Sequence, residues 1–204
     1  MKISTVAGPA TAELDGPRPA GFLLVLTHGS GGGVDSADLR AARDAAVAAG
    51  GAVARVVQPY RVRGARAPGS PQRQDAAWLE VIAALRRRYR GVPLLQGGRS
   101  NGARVACRTA VAAGASGVLA LAFPLHPPGR PEKSRADELR AAGTNVLVIN
   151  GSRDPFGIPD PADATRVVVL PGETHALTGA AGQIASEVGA WIGAVLGRAQ
   201  AGAR

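Results

Sequence analysis

Residues 94–106 (Leu-Leu-Gln-Gly-Gly-Arg-Ser-Asn-Gly-Ala-Arg-Val-Ala) constrain this chain more than any other stretch. An apolar run leads into Ser100, Gly98 and Gly102 stand two residues to either side of it, and a helix-forming segment follows at once. A strand and a helix joined by so tight a turn approach too closely for side chains at those two glycines. The serine is then lifted out of the sheet with its hydroxyl free. The bare Gly-x-Ser-x-Gly pattern is weak where 28 of 204 residues are glycine, since chance alone gives roughly 0.2 matches. Its setting has to carry the argument.

That setting is an alternation of strand-like and helix-like segments, which predicts a mostly parallel central sheet with helices on both faces. Residues 21–27 form a continuous apolar run, the pattern of a strand buried on both sides. Strands are expected also over 52–57, 92–96, 117–123, 145–150 and 166–170. Ser36 is placed to cap a helix that Gly50-Gly51 ends, and Ser70-Pro71 opens another with Trp78, Ile82, Leu85 and Tyr89 on one face. A helix over 103–113 follows the serine turn, Ser134 with Asp137 resembles a capping box for a short helix through Ala142, and a last amphipathic helix carries Ile184, Val188, Trp191, Ile192 and Val195. The chain is one domain in length, 1–204 with a core over about 21–197, and its longest irregular pieces, 60–70 and 125–133, are too short for a cap domain. An open, shallow site is expected.

Composition narrows the function classes. Lysine plus arginine number 24 against 15 acidic residues, a net charge of +9. A nucleic-acid footprint would cluster those charges and interleave aromatics. Here they are scattered, aromatics are 3% of the chain, and the one dense run, Arg86-Arg87-Arg88-Tyr89-Arg90, sits where a helix end favours cations. The single cysteine, Cys107, cannot form an internal disulfide and reads as core filler. No His, Asp and Glu grouping has metal-ligand spacing, and no cofactor is expected. With no leader-like stretch and no run long enough to span a bilayer, a soluble cytoplasmic chain without nucleic-acid or membrane partners is expected.

Ligands of open parallel sheets bind beyond the carboxyl ends of the strands. After the first long strand comes Thr27-His28-Gly29-Ser30-Gly31-Gly32-Gly33, which lacks the Gly-Lys-Ser/Thr of a phosphate loop and fits an oxyanion loop of the His-Gly-x-Gly sort. A nucleophilic serine needs a base, and the base needs a carboxylate to fix its tautomer. Asp154 and His175 each fall directly after a predicted strand, giving the chain order Ser100, Asp154, His175. Asp160 and Asp163 are rival acids within a proline-rich loop, Asp154 before Pro155 also suits a plain turn, and His175 also suits a helix cap. His28 reads as part of the glycine loop's structure; His126, in Phe123-Pro124-Leu125-His126-Pro127-Pro128-Gly129, reads either as a substrate contact or as structural.

These pieces, with Gly151-Ser152-Arg153-Asp154-Pro155-Phe156-Gly157 and Gly172-Glu173-Thr174-His175, resemble the small capless α/β-hydrolases, the dienelactone-hydrolase-like branch related to the testis-expressed α/β-hydrolase-like proteins and to a subunit of a histone-acetyltransferase complex. The resemblance implies a single-domain α/β-hydrolase fold, with Ser100 as nucleophile, His175 as base and Asp154 as acid. It also implies an oxyanion hole from the N–H of Asn101 and one near Ser30. His28, Gly29, Arg99 and His126 are the candidate substrate contacts. Position 101, often Met or Gln in relatives, is Asn here, and position 103, often Gly, is Ala. The function implied is a serine esterase cleaving a small-molecule carboxylic ester or thioester through an acyl-enzyme. Some relatives serve as non-catalytic subunits, so a binding or scaffold protein on the same fold is the second reading.

Overall fold

The computed structural model describes residues 1–201. In chain order its strands are β1 (Lys2–Ile3), β2 (Ala10–Asp15), β3 (Leu23–Thr27), β4 (Ala52–Val57), β5 (Leu94–Arg99), β6 (Gly117–Leu121), β7 (Asn145–Gly151) and β8 (Arg166–Leu170). The helices are α1 (Ala37–Ala48), α2 (Pro59–Val62), α3 (Pro71–Arg88), α4 (Asn101–Ala113), α5 (Ala136–Arg140) and α6 (Ala181–Ala201), with a 3-10 turn at Pro161–Asp163. One eight-stranded sheet runs β1-β2-β4-β3-β5-β6-β7-β8. β3 to β8 are parallel, and β1 and β2 join antiparallel at one edge.

Alternation along the central strands divides the core. Phe22, Leu24 and Leu26 face one side and pack with Leu39 and Ala42 of α1 and Ile184, Val188 and Trp191 of α6. Leu23 and Val25 face the other, against Trp78, Val81, Ile82 and Leu85 of α3. Further along that face, Ala103, Ala106, Cys107 and Ala110 of α4 cover Val118, Ala120, Val146 and Val148. Each fully buried Leu, Val or Phe contributes about 1.5–3 kcal/mol, and small residues on α4 let that helix lie close to the sheet. Cys107 is fully buried and its thiol is pushed well above its ordinary value by that burial, so it is inert filler.

Local chemistry moved several boundaries. β5 runs to Arg99 and α4 begins at Asn101, so a single residue makes the turn. A Cβ on Gly98 would lie 2.6 Å from the Thr27 carbonyl oxygen, and one on Gly102 would lie 2.7 Å from the same atom. β6 stops at Leu121 rather than 123 because Ala122 takes φ 45°. Ser70 caps α3 as expected, accepting from the Arg73 N–H at 3.4 Å. Ser36 occupies the cap position of α1 but makes no capping bond. Ser134 does not form the expected capping box: its hydroxyl accepts from the Ala136 N–H, and the cap position of α5 is Arg135. The stretch 60–70 is not wholly irregular, since Pro59 opens the one-turn α2. The antiparallel β1–β2 edge was not anticipated.

β2 helps to anchor the glycine loop. Arg55 of β4, 5% exposed, binds Glu13 at 2.7 Å and Asp15 at 3.2 Å on β2, and reaches Asp35 just past the loop. The loops after β3, β5, β6, β7 and β8 all emerge at one end of the sheet, where the polar candidates gather. Among the described residues, no helix is long and apolar enough to cross a membrane.

Candidate active site

Ser100 sits at φ 53°, ψ −115°, a region L-residues rarely adopt and one that costs roughly 1–3 kcal/mol. The surroundings hold it there: its N–H donates to the Leu121 carbonyl at 2.9 Å, and its own carbonyl accepts from the Arg104 N–H at 3.2 Å. Its hydroxyl makes no cap bond to α4 and instead meets His175 Nε2 at 2.9 Å.

His175 Nδ1 lies 2.8 Å from Asp154 Oδ2. That bond puts the proton on Nδ1 and leaves Nε2 free to accept from the serine. The Asp154 side chain is fully buried, and its Oδ1 accepts from the Phe156 N–H at 2.9 Å. Asn150, at the end of β7, ties the acid's loop to the end of β6 through bonds to both the N–H and the carbonyl of Phe123 and to the Gly157 carbonyl. The Phe156 ring lies against the imidazole, 4.3 Å between centroids. Ser100, His175 and Asp154 are therefore brought together. The rival acids are not: Asp160 caps the 3-10 turn, and Asp163 pairs with Arg140 at 2.7 Å.

The hydroxyl opens on a cleft of about 450 Å³ lined by Gly29, Ser30, Arg99, Asn101, Arg104, Pro124, Arg135, Phe156 and His175, among others. Gly29 is pressed onto the nucleophile, since a Cβ there would lie 3.1 Å from Ser100 Cβ. Asn101 opens α4, where first-turn N–H groups have no partner within the helix. Its side chain turns away, donating to Gln74 Oε1 at 2.8 Å. Gln74 also lines a separate cavity of about 120 Å³ under α2, walled by Tyr60 and Trp78. The Tyr60 hydroxyl reaches the Gly29 and Ser30 carbonyls at 3.4 and 3.3 Å and is pushed up to about 12 by burial.

Two expected substrate contacts, His28 and His126, lie outside the cleft lining. His28 is fully buried: its Nδ1–H donates to the Gly29 carbonyl at 2.8 Å, and Nε2 accepts from the Gln58 N–H at 3.0 Å. It braces the glycine loop from beneath. His126 does not line the cleft. Its N–H donates to the Phe156 carbonyl at 2.9 Å and its ring abuts Gly157, so it supports the acid's loop. Arg99 borders the cleft, but its guanidinium is engaged by the His175 carbonyl and by Asp38. Arg104, held in two bonds by Glu138, and Arg135, donating to the Pro124 carbonyl, line the cleft without having been anticipated. Only the folding of the 122–135 loop brings Arg135 there. Among the described residues no three or more His, Cys, Asp or Glu side chains gather as a metal site.

Burial holds the His28 pKa below its ordinary 6.5, with the Arg61 charge adding to the effect against the Gly29 bond. Below about pH 6.5 the unfolded chain therefore binds a proton that the folded chain resists. Stability from this residue is intact above that pH and declines as pH falls through it. Urea midpoints measured from pH 7.5 to 5 should fall for the parent chain and fall less steeply for His28→Asn.

Among solved structures, Est1E from Butyrivibrio proteoclasticus with ferulic acid bound superposes with a TM-score of 0.78 at 15% identity over 97% of this chain and 99% of that one. A dienelactone hydrolase from Anabaena variabilis gives 0.73 at 18% identity, over 94% of each chain. A serine hydrolase without a lid from Xanthomonas campestris gives 0.70 at 19%, over 94% and 92%. At such identities the likeness speaks to the fold. A search of curated protein sequences returns no match. A family model described as an alpha/beta hydrolase domain matches residues 20–179, which takes in the glycine loop, the serine turn and both loops that carry its partners, and the chain belongs to that family.

Proposed function

We propose that this chain is a serine hydrolase cleaving a small carboxylic ester or thioester. The observation that carries the reading is the relay from Ser100 Oγ through His175, 2.9 Å away, to Asp154 a further 2.8 Å on, opening on a solvent-facing cleft. In the proposed mechanism Ser100 Oγ attacks the carbonyl carbon while His175 Nε2 takes its proton. The resulting oxyanion is met by the backbone N–H groups of Asn101 and Ser30, a donor of this kind being worth about 3 kcal/mol. Collapse expels the alcohol or thiol, which receives the proton from His175, and leaves an acyl ester on Ser100. Water then attacks that ester, giving its proton to His175, and the carboxylic acid leaves as Ser100 recovers its hydrogen. Asp154 holds the Nδ1–H tautomer and stabilises the imidazolium without taking the proton. These steps draw on no cofactor.

A fluorophosphonate probe tests the reading without knowledge of the substrate. The expected result is an adduct on the Ser100 peptide by mass spectrometry, lost in His175→Ala. Folded protein that takes no label would favour the binding or scaffold reading instead.

A further inference from the structure

His175 must be held to a few tenths of an ångström if it is to serve Ser100. It lies in neither helix nor strand, and its neighbours Thr174 and Ala176 are exposed. Asp154 and Phe156 fix the ring, but the ring is only one end of the residue. At the other end the His175 carbonyl accepts from Arg99 Nη2 at 2.6 Å.

Arg99 is the last residue of β5, one peptide before the serine. Its Nε lies 3.0 Å from Asp38 Oδ2, an ion pair by proximity rather than by hydrogen-bond alignment. The Asp38 side chain is fully buried on α1, where its other oxygen accepts from the Leu39 N–H at 2.9 Å. A planar guanidinium with donors on two edges can hold both partners at once, which a lysine ammonium does only as a point charge. The chain of contacts therefore runs from the core helix α1, through the residue that precedes the nucleophile, to the backbone of the histidine.

We propose that Arg99 is a positioning residue: anchored by Asp38, it clamps the His175 backbone and so sets the reach of Nε2 to Ser100. This rests on the serine-hydrolase reading. A displacement of about 1 Å at a reacting group can cost on the order of 100-fold in rate, so the clamp has a measurable consequence. Removing Arg99 alone would leave the Asp38 charge buried without a partner and could unfold the chain. The informative variant is Asp38→Asn/Arg99→Gln, which removes both charges together, compared with Asp38→Asn, which keeps the bond to His175.

The rate of fluorophosphonate labelling at Ser100 is the first readout. The expected result is roughly a 10- to 100-fold slower rate in the double variant, a smaller loss in Asp38→Asn, which loosens the anchor but keeps the bond to His175, and partial recovery in Arg99→Lys. Folding is checked by circular dichroism. Proton NMR supplies the readout that a merely structural role would not move: the low-field Nδ1–H resonance of the His175–Asp154 bond should persist in Asp38→Asn and be lost to exchange in the double variant. Equal labelling rates, or an unchanged resonance in the double variant, overturn the proposal and leave the hydrolase reading standing. A parent protein that is folded yet unlabelled overturns that reading, and the proposal with it.

Discussion

Ser100→Ala should lose turnover of any ester the parent protein hydrolyses by roughly 10⁴- to 10⁶-fold, while its melting temperature stays close to the parent's. The two halves of that expectation have separate causes. Removing Oγ deletes the atom that would form the covalent bond, and no other hydroxyl lies within hydrogen-bond reach of His175 Nε2 among the described residues. The small residual rate would come from the cleft and its N–H donors acting on bound water. Stability changes little because the cost of position 100 lies in its backbone, at φ 53°, and alanine bears that strain as serine does. Ser100→Gly separates the two effects: it should be equally inactive yet more stable, by about 1 kcal/mol, because glycine adopts this backbone freely. Retained turnover in either variant would overturn Ser100 as nucleophile. A lower melting temperature in the glycine variant would show that the turn is not strained.

The elements that place the site were legible for a definite reason. β3 is buried from end to end and β7 from Val146 onward, and parallel strands covered on both faces carry continuous apolar runs that stand out from any helical pattern. Once those runs were located, Ser100, Asp154 and His175 fell into loops at one edge, and the parallel topology did the rest. β2 had its own alternation, Ala10, Ala12 and Leu14 inward, but alanine is too weak an apolar marker to be recognised beside Thr11 and Glu13. Side-chain direction was the other loss. His28 and Arg99 sit in the expected motifs, yet partners distant in sequence decide where they point: the Gln58 N–H draws His28 inward, and Asp38 with the His175 carbonyl engages the Arg99 guanidinium at the border of the cleft. Spacing along the chain carries no record of such contacts. The same holds for Arg135, which reaches the cleft through a loop whose course depends on the Pro124 carbonyl and on its own N–H bond to Leu125.

Asp154→Asn is expected to lower kcat by about 10⁴-fold, with little change in KM. The cause is the tautomer rather than a lost contact. With aspartate, Oδ2 can only accept, so His175 must carry its proton on Nδ1 and present a lone pair at Nε2 to the serine. An asparagine whose amide donates at that position reverses the arrangement, and the imidazole then offers Ser100 an N–H where a base is required. The local architecture should survive, because the asparagine oxygen can still accept from the Phe156 N–H as Oδ1 does now. Asp160→Asn and Asp163→Asn are the controls that give the result its meaning. Asp160 caps a surface turn and Asp163 binds Arg140, so their variants should keep near-parental kcat even if Asp163→Asn melts somewhat earlier. A loss of the same size at either position, or none at Asp154, would remove Asp154 from the proposed mechanism. Because thiol and alcohol leaving groups both depend on the same imidazole, the ratio of their rates should be nearly unaffected in Asp154→Asn, which separates a failure of the base from a change in substrate fit.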